Sequence, residues 1–116
     1  MNGKVWGYFE KARELAIAKQ DNKSFILGAV GIRRDGAVVY AVNSISQEPN
    51  RLLHCEYRIC RKIDQGSTIY LVRVRLLNGE YAMSKPCPDC EKVLKSRRVK
   101  RVYYTISNNE YGVLEL

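Results

Sequence analysis

The spacing of hydrophobic residues changes several times along the chain, and each change marks an element. In residues 5–20 the apolar positions Val5, Phe9, Ala12 and Ala16 recur at helical spacing. Tyr8 and Leu15 widen that stripe, and Lys11, Arg13 and Glu14 face water. Asp21-Asn22 ends the predicted helix. Phe25–Ile32 is apolar and β-branched, as a buried strand is, and its Gly28 and Gly31 permit another backbone to approach closely. Asp35-Gly36 is a two-residue hairpin signal, and residues 37–42 form the returning strand.

After a polar loop over residues 43–53, the period becomes helical again across residues 54–63, through Cys55, Ile59, Lys62 and Ile63, with Gly66 as the stop. Residues 68–77 are rich in Ile, Val, Tyr and Leu and read as a third strand. Asn78-Gly79 turns the chain into a short extended return over residues 80–84. A third helix is predicted over residues 86–97, with proline in its first turn and Cys90, Val93, Leu94 and Arg97 facing inward. Residues 99–107 form a fourth strand, and residues 111–116 return as a fifth.

This order predicts an α/β fold with parallel neighbours in one sheet and helices on its faces. The last two strands are joined too tightly for a crossover helix and must pair antiparallel, giving a five-stranded mixed sheet. At 116 residues the chain is one domain, residues 1–116, without repeats or internal linkers. A hydrophobic fraction of 46% and a charged fraction of 28% are ordinary for a globular protein. No apolar run approaches the roughly 20 residues that cross a bilayer, and the first residues lack a signal-peptide core. The expectation is a cytoplasmic or nuclear protein, not secreted, with reduced thiols and no membrane partner. A net charge of +8 points to polyanionic partners such as nucleic acid or nucleotides, against the plainer reading that it serves solubility.

The candidate chemistry begins at Pro86-Cys87-Pro88-Asp89-Cys90. Two cysteines three positions apart at a helix start share one side of it, where the peptide dipoles and open N–H groups stabilise thiolates. The single histidine, His54, supplies a third ligand from the start of another helix. In a parallel arrangement both helix starts emerge at the same sheet edge. Two sulfurs and one imidazole favour zinc, and three protein ligands leave a fourth position for water, the pattern of a catalytic site. Glu56, two residues from His54, can take a proton from that water and pass it to a leaving amine. A structural zinc completed by Cys55, Cys60 or a carboxylate, or a redox pair, is the competing reading of the cysteines. Cys55 and Cys60 themselves read as buried small hydrophobes.

The pair of motifs His54-Cys55-Glu56 and Pro86-Cys87-Pro88-Asp89-Cys90 resembles the zinc-dependent nucleobase deaminases of the cytidine deaminase-like superfamily. The element order is similar over nearly the whole chain. The resemblance implies a three-layer α/β/α cytidine deaminase-like sandwich and a hydrolase acting on an amidine C–N bond. Zn2+ is held by His54, Cys87 and Cys90, zinc-bound water is the nucleophile, and Glu56 shuttles protons while ammonia leaves. It further implies that Asn43 and the main chain of Lys85 bind substrate. Cys55 stands where such proteins commonly carry alanine.

Cytosine is the base expected, converted to uracil by analogy with compact members of the superfamily. Free-cytidine enzymes usually place a glutamate two residues after the substrate asparagine, and here that residue is Ile45. With the charge, this favours cytosine in single-stranded nucleic acid, followed by a free cytidine or deoxycytidine nucleotide. A non-catalytic zinc-stabilised nucleic-acid-binding module is the alternative of another class. Tyr104, expected near the zinc edge, is a candidate to stack on the base. Arg73 and Arg75 share a strand face and mark a partner surface or plain solvent-facing positions. The run Lys95-Ser96-Arg97-Arg98-Val99-Lys100-Arg101 follows a helix about 15 Å long and is expected at the far edge of the sheet. A homo-oligomer is a further expectation, because free-substrate relatives often assemble.

Overall fold

The computed structural model describes residues 3–18, 25–42, 59, 61–75 and 77–116. In chain order these form α1 (Gly3–Ala18), β1 (Phe25–Ile32), β2 (Val38–Val42), β3 (Thr68–Arg75), β4 (Tyr81–Ala82), α2 (Pro88–Ser96), β5 (Arg101–Ser107) and β6 (Glu110–Glu115). The strands make one sheet in the order β2-β1-β3-β5-β6, with β4 paired to β3 off that path. β3 and β5 are parallel neighbours joined through α2, as the strand–helix–strand pattern requires. β6 runs antiparallel to β5. The return after Asn78-Gly79 pairs as a true strand, so the sheet has six strands where five were expected.

Two apolar clusters lie on opposite faces of this sheet. On one face, Val5, Phe9, Ala12 and Ala16 of α1 pack on Ile26, Val30, Tyr70, Val72 and Val74. The predicted helical stripe is thus the buried face of α1. On the other face, Leu94 of α2 joins Ile59, Ala29, Ala41, Ile69, Leu71 and Val102. β3 alternates between the two, sending Ile69 and Leu71 one way and Tyr70, Val72 and Val74 the other. The result is helix, sheet, helix in three layers. Most of the predicted helix over residues 54–63 lies outside the described residues. Ile59 is fully buried on the α2 face, and Ile63 packs against the same cluster.

Several boundaries move for local reasons. The β1–β2 connection spans residues 33–37 instead of two residues: Gly36 N–H donates to Arg33 O, Arg33 N–H donates to Ala37 O, and Gly36 takes φ of +91°. That is a type I turn closed by a left-handed glycine. β3 stops at Arg75 because the chain turns there, with Gly79 N–H donating to Arg75 O and Arg75 N–H to Glu80 O. The helix predicted from residue 86 begins at Pro88, because Cys87 is its extended N-cap. β5 begins two residues late because a Schellman closure occupies the end of α2. Val99 N–H donates to Leu94 O, Arg98 N–H donates to Lys95 O, and Arg98 sits at φ of +57°.

Candidate active site

The site starts from a fork in the sheet. β1 occupies one edge of β3, so β5 and β4 must share the other. Thr68 to Leu71 pair with β5, and Arg73 and Val74 pair with β4. β4 therefore wedges between the C-terminal halves of β3 and β5, and the chain leaving it must be tied to both. Ser84 makes that tie. Its N–H donates to Thr105 O at 2.9 Å, and its buried Oγ accepts the Thr105 N–H at 2.7 Å. Leu71 O, Thr105 O and Thr105 Oγ1 all lie within 3.1 Å of that Oγ as partners for its proton. Thr105 Oγ1 in turn reaches Ala82 O at 2.9 Å. Sequence reasoning missed Ser84 and Thr105 as positioning residues. Their signal was a lone serine between an extended return and Pro86-Cys87.

Three residues beyond Ser84 the chain reaches Cys87, across exposed Lys85 and buried Pro86. Cys87 has φ of −67° and ψ of 163°, and its Sγ accepts the Cys90 N–H at 3.5 Å. An N-cap acceptor is usually a hydroxyl or carboxylate oxygen; here sulfur fills that place at the positive end of the helix dipole. Pro88 follows in the first turn, where a missing N–H costs nothing. Cys87 is exposed and Cys90 is fully buried. Asp89 and Glu91 add carboxylates to the same turn. Two sulfurs at one helix start form a soft donor pair that suits zinc. Among the described residues no group of three metal-ligating side chains forms.

His54, Glu56 and Asn43 lie outside the described residues, as do Cys55 and Cys60. β2 ends at Val42, in register with Gly28 and, through it, Val72, at the edge toward which β3 runs. The chain is next described at Ile59, on the face that carries α2.

Lys85 is exposed in the link between Ser84 and Cys87. Tyr104 is in the middle of β5 instead of at its end, opposite Leu71 on one side and Gly112 on the other. It packs against the α2-face cluster, and its ring lies over Gly112, so close that a Cβ there would fall 2.3 Å from its hydroxyl end. Tyr103 faces the other way and stacks on Tyr70, centroids 4.9 Å apart and planes 5° apart. Arg73 and Arg75 are both exposed. The basic run is at the opposite edge, as expected: Lys100 N–H donates to Ser67 O, and Arg101 pairs with Thr68 at the beginning of β3. A cavity of about 320 Å³ lined by Tyr8, Val38 and Tyr40 lies between α1 and β2, on the α1 face, away from the clamp.

A protein-family model, the cytidine and deoxycytidylate deaminase zinc-binding region, matches residues 5–106, which include both motifs and the whole fork. The chain belongs to this family. Its cofactor is accordingly zinc, and the donor set at the start of α2 fits that ion. No curated protein matches the chain by sequence. Among solved structures, cytidine deaminase from Burkholderia pseudomallei shares the fold with a TM-score of 0.66 at 19% identity, covering 99% of this chain and 93% of that one. Cytidine deaminase from Mycobacterium leprae is also similar, with a TM-score of 0.54 at 17% identity over 90% of this chain and 92% of its own. The α/β sandwich is therefore the fold of this family. Among the described residues, no helix is long and apolar enough to cross a membrane.

Proposed function

We propose that this chain is a zinc-dependent hydrolytic deaminase that converts cytosine to uracil in single-stranded nucleic acid. The observation that carries the reading is the N-cap geometry of Cys87. A sulfur at the start of α2, with Cys90 one turn on, opens at the edge toward which the parallel strands run.

His54, Cys87 and Cys90 are the zinc ligands in this reading, and Glu56 moves the proton. When bound, zinc lowers the pKa of water enough to supply a nucleophile near neutral pH. Cys87 and Cys90 are held by the helix start, and Ser84 fixes the approach to it. Glu56, two residues from His54, accepts a proton from the attacking water and delivers it to the departing amine. Asn43, the first residue after β2, and Lys85, through its main chain, orient the base.

A free cytidine or deoxycytidine nucleotide is the second reading, favoured by the family model, which is named for cytidine and deoxycytidylate deaminases. The deciding measurement is ammonia release from cytidine, dCMP and a cytosine-containing oligonucleotide, alongside zinc content. Wild type should release ammonia; Glu56→Gln should keep zinc and lose at least about 10²-fold in turnover; Cys87→Ser should lose zinc. Zinc-loaded wild type without activity on any cytosine or adenine substrate leaves the binding module as the function. Turnover confined to monomers removes the polynucleotide reading.

A further inference from the structure

Arg73 and Arg75 continue the α2 face of β3 past its buried part. Ile69 and Leu71 point to that face, and the two-residue period carries Arg73 and Arg75 after them. Arg73 is flanked in register by Leu27 of β1 and Ala82 of β4, and Arg75 by Phe25 of β1. Leu27 packs with the α2-face cluster, which fixes the assignment independently. The fork sets where these positions lie. Beyond Leu71, β4 takes the place of β5 beside β3, and the α2 face of this last stretch of β3 carries the two exposed arginines. Ser84 closes the fork at Leu71, and Cys87 follows three residues later. Arg73 and Arg75 therefore lie on the sheet face that carries α2, at the edge where α2 starts.

We infer that Arg73 and Arg75 form a phosphate-tracking wall along which a single-stranded polynucleotide lies as its cytosine enters the site. This deepens the proposed function and rests on it. Side chains two residues apart on a strand are about 6.6–6.8 Å apart, a spacing that lets each meet a different phosphate of an extended strand. A guanidinium forks onto phosphate oxygens through paired N–H donors, which gives orientation as well as attraction. The array runs along β3, so it spans more than the single phosphate of a mononucleotide whose base sits at the zinc. Exposed Lys85 lies between the fork and Cys87. The Lys95–Arg101 stretch, though richer in charge, is at the other end of α2 and cannot follow a strand into this edge.

The test compares zinc-loaded wild type with Arg73→Gln/Arg75→Gln on cytidine, dCMP and a single-stranded oligonucleotide with one cytosine, across a salt series. The double variant should raise the oligonucleotide KM roughly tenfold with kcat retained. The salt slope of log(kcat/KM) should fall by about 1.4, about 0.7 for each lost contact. Cytidine turnover should not change. Arg73→Lys/Arg75→Lys keeps the charge and should recover most of the slope while lacking the paired donors, which also shows that β3 still folds. Equal losses on cytidine and oligonucleotide would make the arginines structural and overturn the inference. An unchanged oligonucleotide KM overturns it as well, as does a loss on dCMP equal to that on the oligonucleotide. So does a larger effect from Lys95→Gln/Lys100→Gln at the far edge. Anisotropy with a labelled oligonucleotide and the Glu56→Gln protein separates this inference from the reading beneath it. If no substrate turns over, deamination fails as the function, yet a loss of affinity and slope in the arginine variant still upholds the wall. Unchanged binding ends it.

Discussion

Ser84 holds more of the candidate site than its size implies. Its Oγ is the acceptor for Thr105 N–H, and its proton is shared among oxygens of Leu71 and Thr105, all without access to water. Ser84→Ala would leave a buried N–H without its acceptor, which costs about 1–3 kcal/mol. Because Cys87 follows after two residues, the same substitution should weaken zinc retention. Urea unfolding with and without a chelator, and zinc competition with a fluorescent indicator, measure the two effects. A stability loss with unchanged zinc affinity would mean that the fork and the clamp are independent. The two cysteines stood out in the sequence because their spacing is specific, and the structure places both at the start of α2. Ser84 and Thr105 were not legible there, because a serine and a threonine acquire meaning only from a register that brings residues 21 positions apart into contact. Tyr104 shows the converse. Its aromatic type suggested stacking, but only β5–β6 pairing reveals that its ring is laid over Gly112.

At the scale of elements, two glycines make the same substitution act in opposite directions. Gly28 of β1 is where α1 crosses the sheet most closely: a Cβ there would come within 2.7 Å of Ala12 O and 3.3 Å of Ala16 Cβ. The first contact is backbone, so the helix itself has to move. Gly28→Ala should destabilise the fold by about 1–3 kcal/mol as overpacking. Gly7, within α1, has nothing within 4 Å of its would-be Cβ. Gly7→Ala should stabilise by about 0.5–1 kcal/mol by reducing the freedom of the unfolded chain and improving helix propensity. Denaturant midpoints of the two variants, with unchanged slopes, check both signs. The close approach at Gly28 was foreseeable from a glycine inside an apolar strand. Helical stripes and strand runs were likewise legible, since they express periods of a single element. What escaped was pairing of short pieces. β4 has only two residues, below what periodicity can register, and it counts as a strand solely because Arg73 and Val74 lie opposite it.

Across the whole molecule, the aromatic layer under α1 sets how the fold responds to alkali. Tyr70 is almost fully buried, and burial first, then neighbouring Tyr103 and Tyr8, pushes its phenol up to about 12. Tyr81, partly buried and bonded through its hydroxyl to Glu10, is raised for the same leading reason, with that hydrogen bond second. Both groups are neutral acids whose native values lie above the unfolded value of 10.0. The unfolded chain therefore releases these protons first as pH rises, and the ionised unfolded state is favoured by mass action. Their stabilising contribution is complete below about pH 10 and declines as pH climbs through the native value of Tyr70. Tyr70→Phe keeps the ring that stacks on Tyr103 and removes one of the titrating groups. Its urea midpoint should fall less steeply than that of wild type above about pH 10 and match it in shape below. Phenolate absorbance of the folded wild type should show tyrosines that titrate only as the protein unfolds. A wild-type stability flat through the alkaline range, or a Tyr70→Phe variant with the same decline, would place the pH response elsewhere. The acid side has the opposite sign. Asp64 is held below its usual 3.8 chiefly by the Ser67 hydroxyl at 2.8 Å, then by Arg34 N–H. Its contribution is present above about pH 4 and is lost as pH falls through its lowered native value. Asp64→Asn should therefore flatten the acid limb of the stability profile while leaving the alkaline limb to the tyrosines, a separation that a single pH series on the two variants resolves.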